Sequence, residues 1–278
     1  MTTVPGRRAL LKRACVVAGG VPLAAAAIDG LLITPRRLTT SDHAFGDPAA
    51  RQRLRILQIS DLHLRRIGPL EQALVQRVHD SPADVIVITG DSLDGGGSLA
   101  TLEDLLRELP RGPRTLAILG NWEHWSRIPL DALARAYGRH GVELLVNRSV
   151  EIEVHRSRVR VTGLDDLVAG APDAAAAVRG ATPCQHHLVL AHCPAARDSL
   201  GLPQEHAASL VLSGHTHGGQ VAPFGLAMLT PIGSGRYVAG WYRAGGPPLY
   251  VSRGLGNSGL PVRIGSTPEL VRIDWSLG

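Results

Sequence analysis

A repeated order in this chain of 278 residues limits the folds that it can adopt: a short apolar stretch is followed at once by residue types that bind metal ions. Five stretches show this order, at residues 54–59, 85–89, 116–119, 188–191 and 210–212. Stretches of this length that are rich in Val, Ile and Leu are typical of buried β-strands. We therefore predict five buried strands whose ends carry a functional site.

Helical patterns separate the strands in the first half of the chain. They cover residues 69–79, 99–109 and 130–139, and Gly141 is a typical residue to end the last helix. Further apolar stretches in the second half lie at 150–154, 159–162, 249–252 and 270–273. This alternation of strands and helices predicts an α/β fold.

Aspartate, histidine and asparagine side chains follow the five strands. They are Asp61, His63, Asp91, Asn121, His192, His215 and His217. Residues at the carboxyl ends of such strands lie in loops along one rim of a sheet, where α/β folds place their sites. Carboxylate, imidazole and amide groups suit a divalent transition-metal ion, and Gly90, Gly120 and Gly214 allow sharp turns into the site.

The individual motifs differ in how strongly they indicate a metal site. The Asp61-Leu62-His63 pair is weak, and a single histidine such as His192 is more often hydrogen-bonded in a core. Gly214-His215-Thr216-His217 is strong, because two imidazoles one residue apart among glycines have little structural use. The order of all five motifs, each after a strand, therefore carries the prediction.

These ordered motifs resemble those of the calcineurin-like metallophosphoesterases. Residues 60–63, 214–220 and 252–263 are similar to the YkuE/YaeI-type branch of that superfamily, and residues 35–38 resemble the first strand of its domain. The resemblance implies a mixed α/β (α+β) fold, a four-layer αββα sandwich of two mixed β-sheets flanked by helices. It also implies a phosphoesterase, exported or membrane-associated in some members. In others the substrate is the pyrophosphate bond of UDP-2,3-diacylglucosamine, in lipid A biosynthesis.

The resemblance also implies a set of roles for the seven candidate ligands. One divalent ion would take Asp61, His63 and His217. The other would take Asn121, His192 and His215, and Asp91 would bridge the two. Manganese, zinc and iron all accept such ligands, so the sequence does not identify the metal.

One position departs from the pattern of the family. The usual Gly-Asn-His is here Gly120-Asn121-Trp122, so Trp122 stands where the family has a histidine that contacts the scissile phosphate. His124, two residues on, is our candidate catalytic acid, and an uninvolved surface histidine is the alternative. The substitution bears on the substrate and the rate, but leaves the metal ligands intact.

Several other polar and aromatic residues have two interpretations each. Asp165 and Asp166 would orient a ligand histidine or lie in a solvated loop, and Arg253 would bind phosphate or form a surface salt bridge. Four aromatic residues would line a wall for a lipid or sugar or fill the core; they are Trp122, Trp125, Trp241 and Tyr242.

The first residues resemble a targeting segment. Arg7-Arg8 precedes a moderately apolar stretch at 14–27, typical of a twin-arginine export signal, although an amphipathic helix is the alternative. We predict a signal or N-terminal anchor at 1–27, a linker and first strand at 28–52, and the phosphoesterase domain at 53–278. The twin-arginine export machinery is then a partner, and the protein is periplasmic, extracellular or membrane-associated.

Charge and cysteine content constrain the partners and the compartment. Four units of the net charge of +5 come from the segment before residue 28. The arginines of the rest of the chain are spread among acidic residues and form no basic stripe, so the charge does not indicate a nucleic-acid substrate. Cys184 and Cys193 would form a disulfide in an oxidising compartment or remain two buried thiols.

These observations predict a two-metal phosphoesterase that cleaves a phosphodiester or pyrophosphate bond of a glycolipid or nucleotide-linked envelope substrate. Two alternatives remain: a broad phosphomonoesterase, and a metal-binding envelope protein with little turnover. The complete ligand set favours an enzyme. Because Trp122 replaces the family's histidine, a metal-binding protein with little turnover stays as an alternative.

Overall fold

Two six-stranded β-sheets form the centre of the computed structural model, which describes residues 28–126, 128–154 and 157–278. The first sheet contains, in spatial order, β1 (Thr39–Gly46), β12 (Glu269–Leu277), β2 (Gln52–Ile59), β3 (Val85–Thr89), β4 (Arg114–Ile118) and β5 (Val142–Leu144). The second contains β10 (Gly240–Tyr242), β11 (Leu249–Val251), β9 (Leu210–Ser213), β8 (His186–Leu190), β7 (Ser157–Gly163) and β6 (Arg148–Val154).

Both sheets are mixed, and their central strands are parallel. In the first sheet β2, β3, β4 and β5 run parallel, while β12 is antiparallel to β2. In the second sheet β7, β8, β9 and β11 run parallel, with β6 and β10 antiparallel at the two edges. Neighbouring parallel strands end at the same rim, so the residues that follow them become neighbours.

Five α-helices join these strands among the described residues: α1 (Pro69–His79), α2 (Leu99–Glu108), α3 (Asn121–Trp125), α4 (Leu130–Arg139) and α5 (Ala174–Ala177). Shorter helical turns lie at Asp29–Ile33, Thr34–Arg36, Pro194–Ser199, Gln204–His206, His217–Gly219 and Pro223–Gly225. The described part of the chain contains no helix long and apolar enough to cross a membrane.

Three apolar clusters separate the layers. Leu54 and Ile56 point into the cluster between the two sheets, whereas Leu57 and Ile59 from the same strand pack under the helices of the first sheet. The outer face of the second sheet is covered by a thinner layer that includes Ala174 of α5. The alternation of side chains along each strand places the sheets face to face. The predicted four-layer αββα sandwich is therefore confirmed.

The elements next to the site match the prediction closely, and the first strand does not. The five predicted strands are present, and α1 and α4 have the predicted bounds. Residues 35–38 were predicted to be the first strand, which is wrong: Thr34–Arg36 is a turn closed by the Arg37 amide on the Thr34 carbonyl (3.1 Å). The strand begins at Thr39, within the predicted stretch 28–52, and pairs with β12.

Candidate metal centre

The fold brings the ends of five strands from both sheets to one place. Asp61, Asp91 and Asn121 follow β2, β3 and β4 of the first sheet, and His192 and His215 follow β8 and β9 of the second. Buried Gln58 connects the sheets below this point, because its amide donates to the Ser213 carbonyl (2.9 Å) and to Thr89 Oγ1 (3.0 Å). The His215 amide in turn donates to Asp61 Oδ1 (2.8 Å), so the two rims are hydrogen-bonded to each other.

Asp61, His63 and His217 form the first of two candidate metal-binding groups. The Nε2 atoms of His63 and His217 lie 3.1 Å apart, and His217 Nε2 is 3.6 Å from Asp61 Oδ1. All three side chains are buried, and their potential ligand atoms lie within 4.8 Å of one another.

Asp91, His192 and His215 form the second group. His192 Nε2 lies 3.2 Å from Asp91 Oδ2 and 3.2 Å from His215 Nδ1. Asn121 belongs with this group, since its Oδ1 is 3.2 Å from His192 Nε2. Asp91 Oδ2 is also 3.6 Å from His63 Nε2 in the first group. The carboxylate of Asp91 therefore lies between the two groups.

The backbone at these residues is strained in a way that suits a metal site. Asp61, His63, Asp91, His215 and His217 all have positive φ, between 42° and 72°. Non-glycine residues rarely adopt this conformation, and it persists at functional sites where the surroundings impose it. Five of the seven candidate ligands are therefore held in strained turns that direct their side chains to one point. This convergence, together with the donor types, fits a pair of divalent ions.

Two of the histidines are oriented by their outer nitrogens. His192 Nδ1 bonds the Thr89 carbonyl (2.8 Å), and His215 Nε2 bonds the Ile232 carbonyl (2.7 Å). A ring nitrogen next to a carbonyl must carry a proton, so the inner nitrogen of each ring is the one directed at a metal. His217 differs, because its Nδ1 lies 3.1 Å from Nη2 of the buried Arg263.

The electrostatics of the centre favour an ionised carboxylate and three neutral imidazoles. Burial alone would raise the pKa of Asp91, but the charge and hydrogen bond of His192 outweigh it and lower that pKa to about 2. Burial lowers the pKa values of His63, His215 and His217 below their usual range. His192 is the exception: burial would lower its pKa, yet Asp91 raises it. Ionised carboxylates and neutral imidazoles are the forms that bind metals.

Glu123 braces the loops that carry Asp91 and Asn121, and the sequence analysis missed it. Its buried carboxylate accepts hydrogen bonds from the amides of Asp91 (3.0 Å), Ser92 (2.6 Å) and Gly120 (2.8 Å). Burial and then the charge of Asp91 raise the pKa of Glu123 to about 7. The bond from the Gly120 amide to Glu123 is one half of a capping box, but glycine has no side chain to make the other half, so the motif is hidden in the sequence.

The structure pairs the candidate acid with a carboxylate. His124 Nε2 lies 2.7 Å from Asp165 Oδ1, and His124 is not among the described residues that line the cleft beside the ligands. Asp165 therefore contacts His124 and not one of the seven candidate ligands. Asp166 is buried and accepts from the Val168 and Ala169 amides (2.8 and 2.7 Å). The role of His124 as the acid remains a prediction.

The remaining candidates divide between the site and the scaffold. Trp122 and Trp125 lie on the cleft, with ring centroids 5.7 Å apart, and Trp122 also packs edge-on against His63. Trp241 instead stacks on Phe45 (5.4 Å). Arg253 forms a salt bridge with buried Glu269 (2.6 Å).

The two cysteines are free thiols, so no disulfide joins them. Cys193 is buried with Sγ 3.1 Å from Asp166 Oδ2, and burial raises the pKa of its thiol. Cys184 is half-buried. The structure therefore has two free thiols at these positions and not a disulfide.

An open cleft of about 480 Å³ leads to the candidate ligands. Asp91, Asn121, His215 and His217 lie on its polar side. Trp122, Trp125, Leu229 and Ile232 line its apolar side. A molecule in this cleft would therefore place a polar group on the ligands and an apolar group against the tryptophans.

Comparisons with known proteins identify relatives of the chain. The family model described as calcineurin-like phosphoesterase matches residues 54–219. The uncharacterized metallophosphoesterase YkuE of Bacillus subtilis is 30% identical over 86% of this chain and 85% of its own length. The phosphodiesterase YaeI of Escherichia coli is 30% identical over 83% and 84%.

A solved structure shares the fold. The sulfate thiohydrolase SoxB of Thermus thermophilus superposes with a TM-score of 0.50 at 15% identity, over 83% of this chain and 58% of its own. At this identity the likeness concerns the fold alone. The YkuE/YaeI-type resemblance seen in the motifs is thus matched by relatives along most of the chain.

Proposed function

The chain belongs to the calcineurin-like phosphoesterase family, and from this premise we propose that it hydrolyses a phosphodiester or pyrophosphate bond with the help of two divalent ions. The observation that carries the proposal is the position of Asp91, between two groups of buried ligand side chains at the base of an open cleft. A purely structural site would have no reason to hold these groups at a cleft.

The ligand roles that we propose follow the geometry of the two groups. Asp61, His63 and His217 would hold one ion, and Asn121, His192 and His215 the other. Asp91 would contact both. When bound, such a pair supplies a nucleophile from water near neutral pH and neutralises phosphoryl charge.

The chain's own residues would position and select the substrate. The Trp122 amide donates to Asp91 Oδ1 (2.9 Å), which fixes the orientation of the proposed bridging carboxylate. The indole of Trp122 occupies the position of the family's histidine and cannot protonate a departing oxygen. Cleavage would then favour leaving groups that need no proton, such as a phosphate, over alkoxides.

The apolar side of the cleft supports a substrate with an apolar or planar part. Trp122 and Trp125 offer ring faces, and Leu229 and Ile232 offer aliphatic contact. A glycolipid or nucleotide-linked pyrophosphate has both the good leaving group and the apolar or planar part. UDP-2,3-diacylglucosamine is one such compound and is our candidate for the substrate.

We further propose export by the twin-arginine route to the periplasm, the cell exterior or the membrane. The support is the Arg7-Arg8 pair and the apolar stretch at 14–27 in the sequence. These residues lie outside the described part of the chain.

A substrate panel tests the proposed function. Purified protein is assayed with added Mn²⁺, Zn²⁺ or Fe²⁺ on a nitrophenyl phosphodiester, an alkyl phosphomonoester and a nucleotide-linked pyrophosphate. The proposal expects metal-dependent hydrolysis of the diester and the pyrophosphate, with the alkyl monoester slowest. A preference for the monoester would instead support a phosphomonoesterase. Metal binding without turnover of any of the three substrates would support the alternative of a metal-binding protein, which the tryptophan at position 122 suggests.

A further inference from the structure

Large apolar side chains project into solvent from the loop that forms one side of the cleft. In this loop, residues 221–232, Phe224 is 101% exposed, Leu229 83% and Ile232 85%, and Leu226 and Met228 are also exposed. Apolar residues scattered singly on a surface are normal, but a contiguous set at a cleft marks an interaction site. The loop therefore presents a surface that its own fold does not cover.

The backbone at the tip of this loop supports the same conclusion. Phe224 has φ 56° and ψ 23°, the left-handed conformation that bulky residues rarely adopt. Such a conformation is unfavourable for a bulky residue unless something offsets it. The fully exposed ring receives no offsetting contact within the described chain. A partner that covers the ring would supply that contact.

Two neighbouring segments extend the exposed surface. Gln220 Nε2 donates to the carbonyls of Ser258 (3.1 Å) and Leu260 (3.0 Å), which brings the exposed Leu260 beside the loop. The Arg263 amide donates to the Gly30 carbonyl (2.9 Å), which brings in residues 28–33. In that segment Ile28, Leu31, Leu32 and Ile33 are each about half exposed. We call residues 28–33, 221–232 and 258–261 the apolar rim.

The apolar rim itself contains one charged residue, the exposed Asp29, whose carboxylate accepts a hydrogen bond from Thr34 Oγ1 (2.7 Å), and most of the charges beside the rim are basic. No charged residue occurs from Gly218 to Gly235. Exposed Arg36 and Arg66 line a groove with Leu31 beside it. Glu71 also lies in that groove, but its carboxylate accepts the Gly68 amide (2.8 Å). An apolar surface with arginines at its border matches an anionic lipid surface, whose tails take apolar side chains and whose headgroups take cations.

We propose that the apolar rim docks on the surface of an anionic lipid bilayer, with the 221–232 loop inserted among the lipids and the mouth of the cleft held at the membrane. Leu229 and Ile232 belong to both the rim and the cleft, so the two surfaces are continuous. The apolar stretch at 14–27 of the sequence connects directly to Ile28 on the rim, so a membrane anchor there would hold the same face down. The proposal goes beyond the proposed function, because docking requires no hydrolysis.

Vesicle binding by the full chain tests the proposal. The triple variant Phe224→Ser, Leu226→Ser, Met228→Ser removes exposed side chains that do not line the cleft. We expect its partitioning onto phosphatidylcholine–phosphatidylglycerol vesicles to be at least about tenfold weaker than that of wild type, because apolar area drives such binding. The matched control, Leu130→Ser, removes an exposed leucine of α4 and should bind as wild type does. Hydrolysis of a soluble phosphodiester should be unchanged in both variants, which separates loss of docking from loss of function or of folding.

A second measurement distinguishes insertion of the loop from anchoring by residues before Ile28. Phe224→Trp adds a fluorophore at the tip of the loop, and Leu130→Trp adds one on α4. We expect brominated lipids to quench the first added tryptophan and not the second. Equal quenching of the two, or wild-type binding by the triple variant, would overturn the proposal. A concentration-dependent dimer that the triple variant abolishes, without vesicle binding, would overturn it in favour of a second copy of the chain.

Discussion

At the scale of single residues, the position of Asp91 organises the candidate centre. Its Oδ2 atom lies within 3.6 Å of His63 Nε2 and 3.2 Å of His192 Nε2, one from each group. Its other oxygen is held by the Trp122 amide. A carboxylate oriented in this way is suited to bridge two cations, because neither oxygen is free to turn away.

The residue-scale prediction concerns protonation of the leaving group. If His124 donates the proton, His124→Ala should slow alkyl esters about 10²–10⁴-fold more than nitrophenyl esters, since only the alkoxide needs an acid. Asp165→Asn, which alters the partner of His124 Nε2, should act in the same direction. If Trp122 leaves the acid missing, Trp122→His should raise alkyl-ester turnover and His124→Ala should show no selectivity.

Steady-state rates over a series of leaving groups measure this difference. Nitrophenyl esters are the internal control, because they depart without a proton in every variant. Rates that fall equally for all esters would contradict a role of either position at the departing oxygen.

At the scale of elements, the site depends on how closely the strand ends approach one another. A Cβ atom placed at Gly214, after β9, would lie 1.9 Å from Ser60 Oγ and 2.3 Å from Asp61 Oδ2, after β2. The two sheets therefore meet here at a distance that only glycine allows. At Gly90 the requirement is also conformational, since its φ is +88°.

We expect Gly214→Ala to disable the site more than it destabilises the fold. Overpacking of this kind costs about 1–3 kcal/mol, and about 2–4 °C in Tm per kcal/mol for a chain of this size. Displacement of Asp61 by about 1 Å would lower activity by about 10²-fold. Thermal unfolding and diester hydrolysis measure the two effects.

Gly138→Ala is the matched control for this substitution. Gly138 lies in α4 with nothing within 4 Å of its added Cβ. Alanine there should leave activity unchanged and stabilise the helix by up to about 1 kcal/mol. Full activity in Gly214→Ala would show that the close approach of β2 and β9 does not matter for catalysis.

The elements next to the site were predictable because their signals are local. The strand before Asp91 is a continuous, fully buried apolar stretch, the strand before Asp61 is rich in Leu and Ile, and α1 begins at Pro69, which favours the first turn of a helix. β1 was misplaced because it is an edge strand of mixed polarity, TTSDHAFG, with no apolar stretch. Its partner strand β12 lies more than 200 residues away in the chain, so the pairing is not visible in the local sequence pattern.

The convergence of the seven candidate ligand side chains was predictable from the sequence, and the residues that support them were not. All seven ligand types follow strands, and the structure brings all seven together. Glu123 was missed because the glycine N-cap hides the capping box and its other partners are backbone amides of a loop about 30 residues earlier in the chain. The hydrogen bond from His124 to Asp165 joins residues 41 positions apart and was equally invisible.

At the scale of the whole molecule, the candidate metal centre and the proposed docking surface lie on the same side of the described protein. The metal centre lies at the meeting point of both sheets, and the apolar rim borders its cleft. The rim also includes Ile28, which follows the predicted export segment in the sequence.

The targeting prediction follows from the first residues of the chain. Arg7→Lys with Arg8→Lys preserves the charge but removes the guanidinium pair, so we expect the protein to remain in the cytoplasm. Cell fractionation followed by immunoblotting measures the distribution. Arg36→Lys with Arg37→Lys is the control pair and should be exported as wild type is. Normal export of the first double variant would contradict a twin-arginine signal.

Asp91 is proposed to join two ions in one centre, and the number of metal ions bound per chain tests that role. Elemental analysis of the purified wild type should give two divalent ions per chain. Asp91→Ala should lose both, because each ion loses a shared ligand, while Asp94→Ala removes a buried carboxylate of the same loop and should keep both. Two ions per chain in the Asp91→Ala protein would contradict the account.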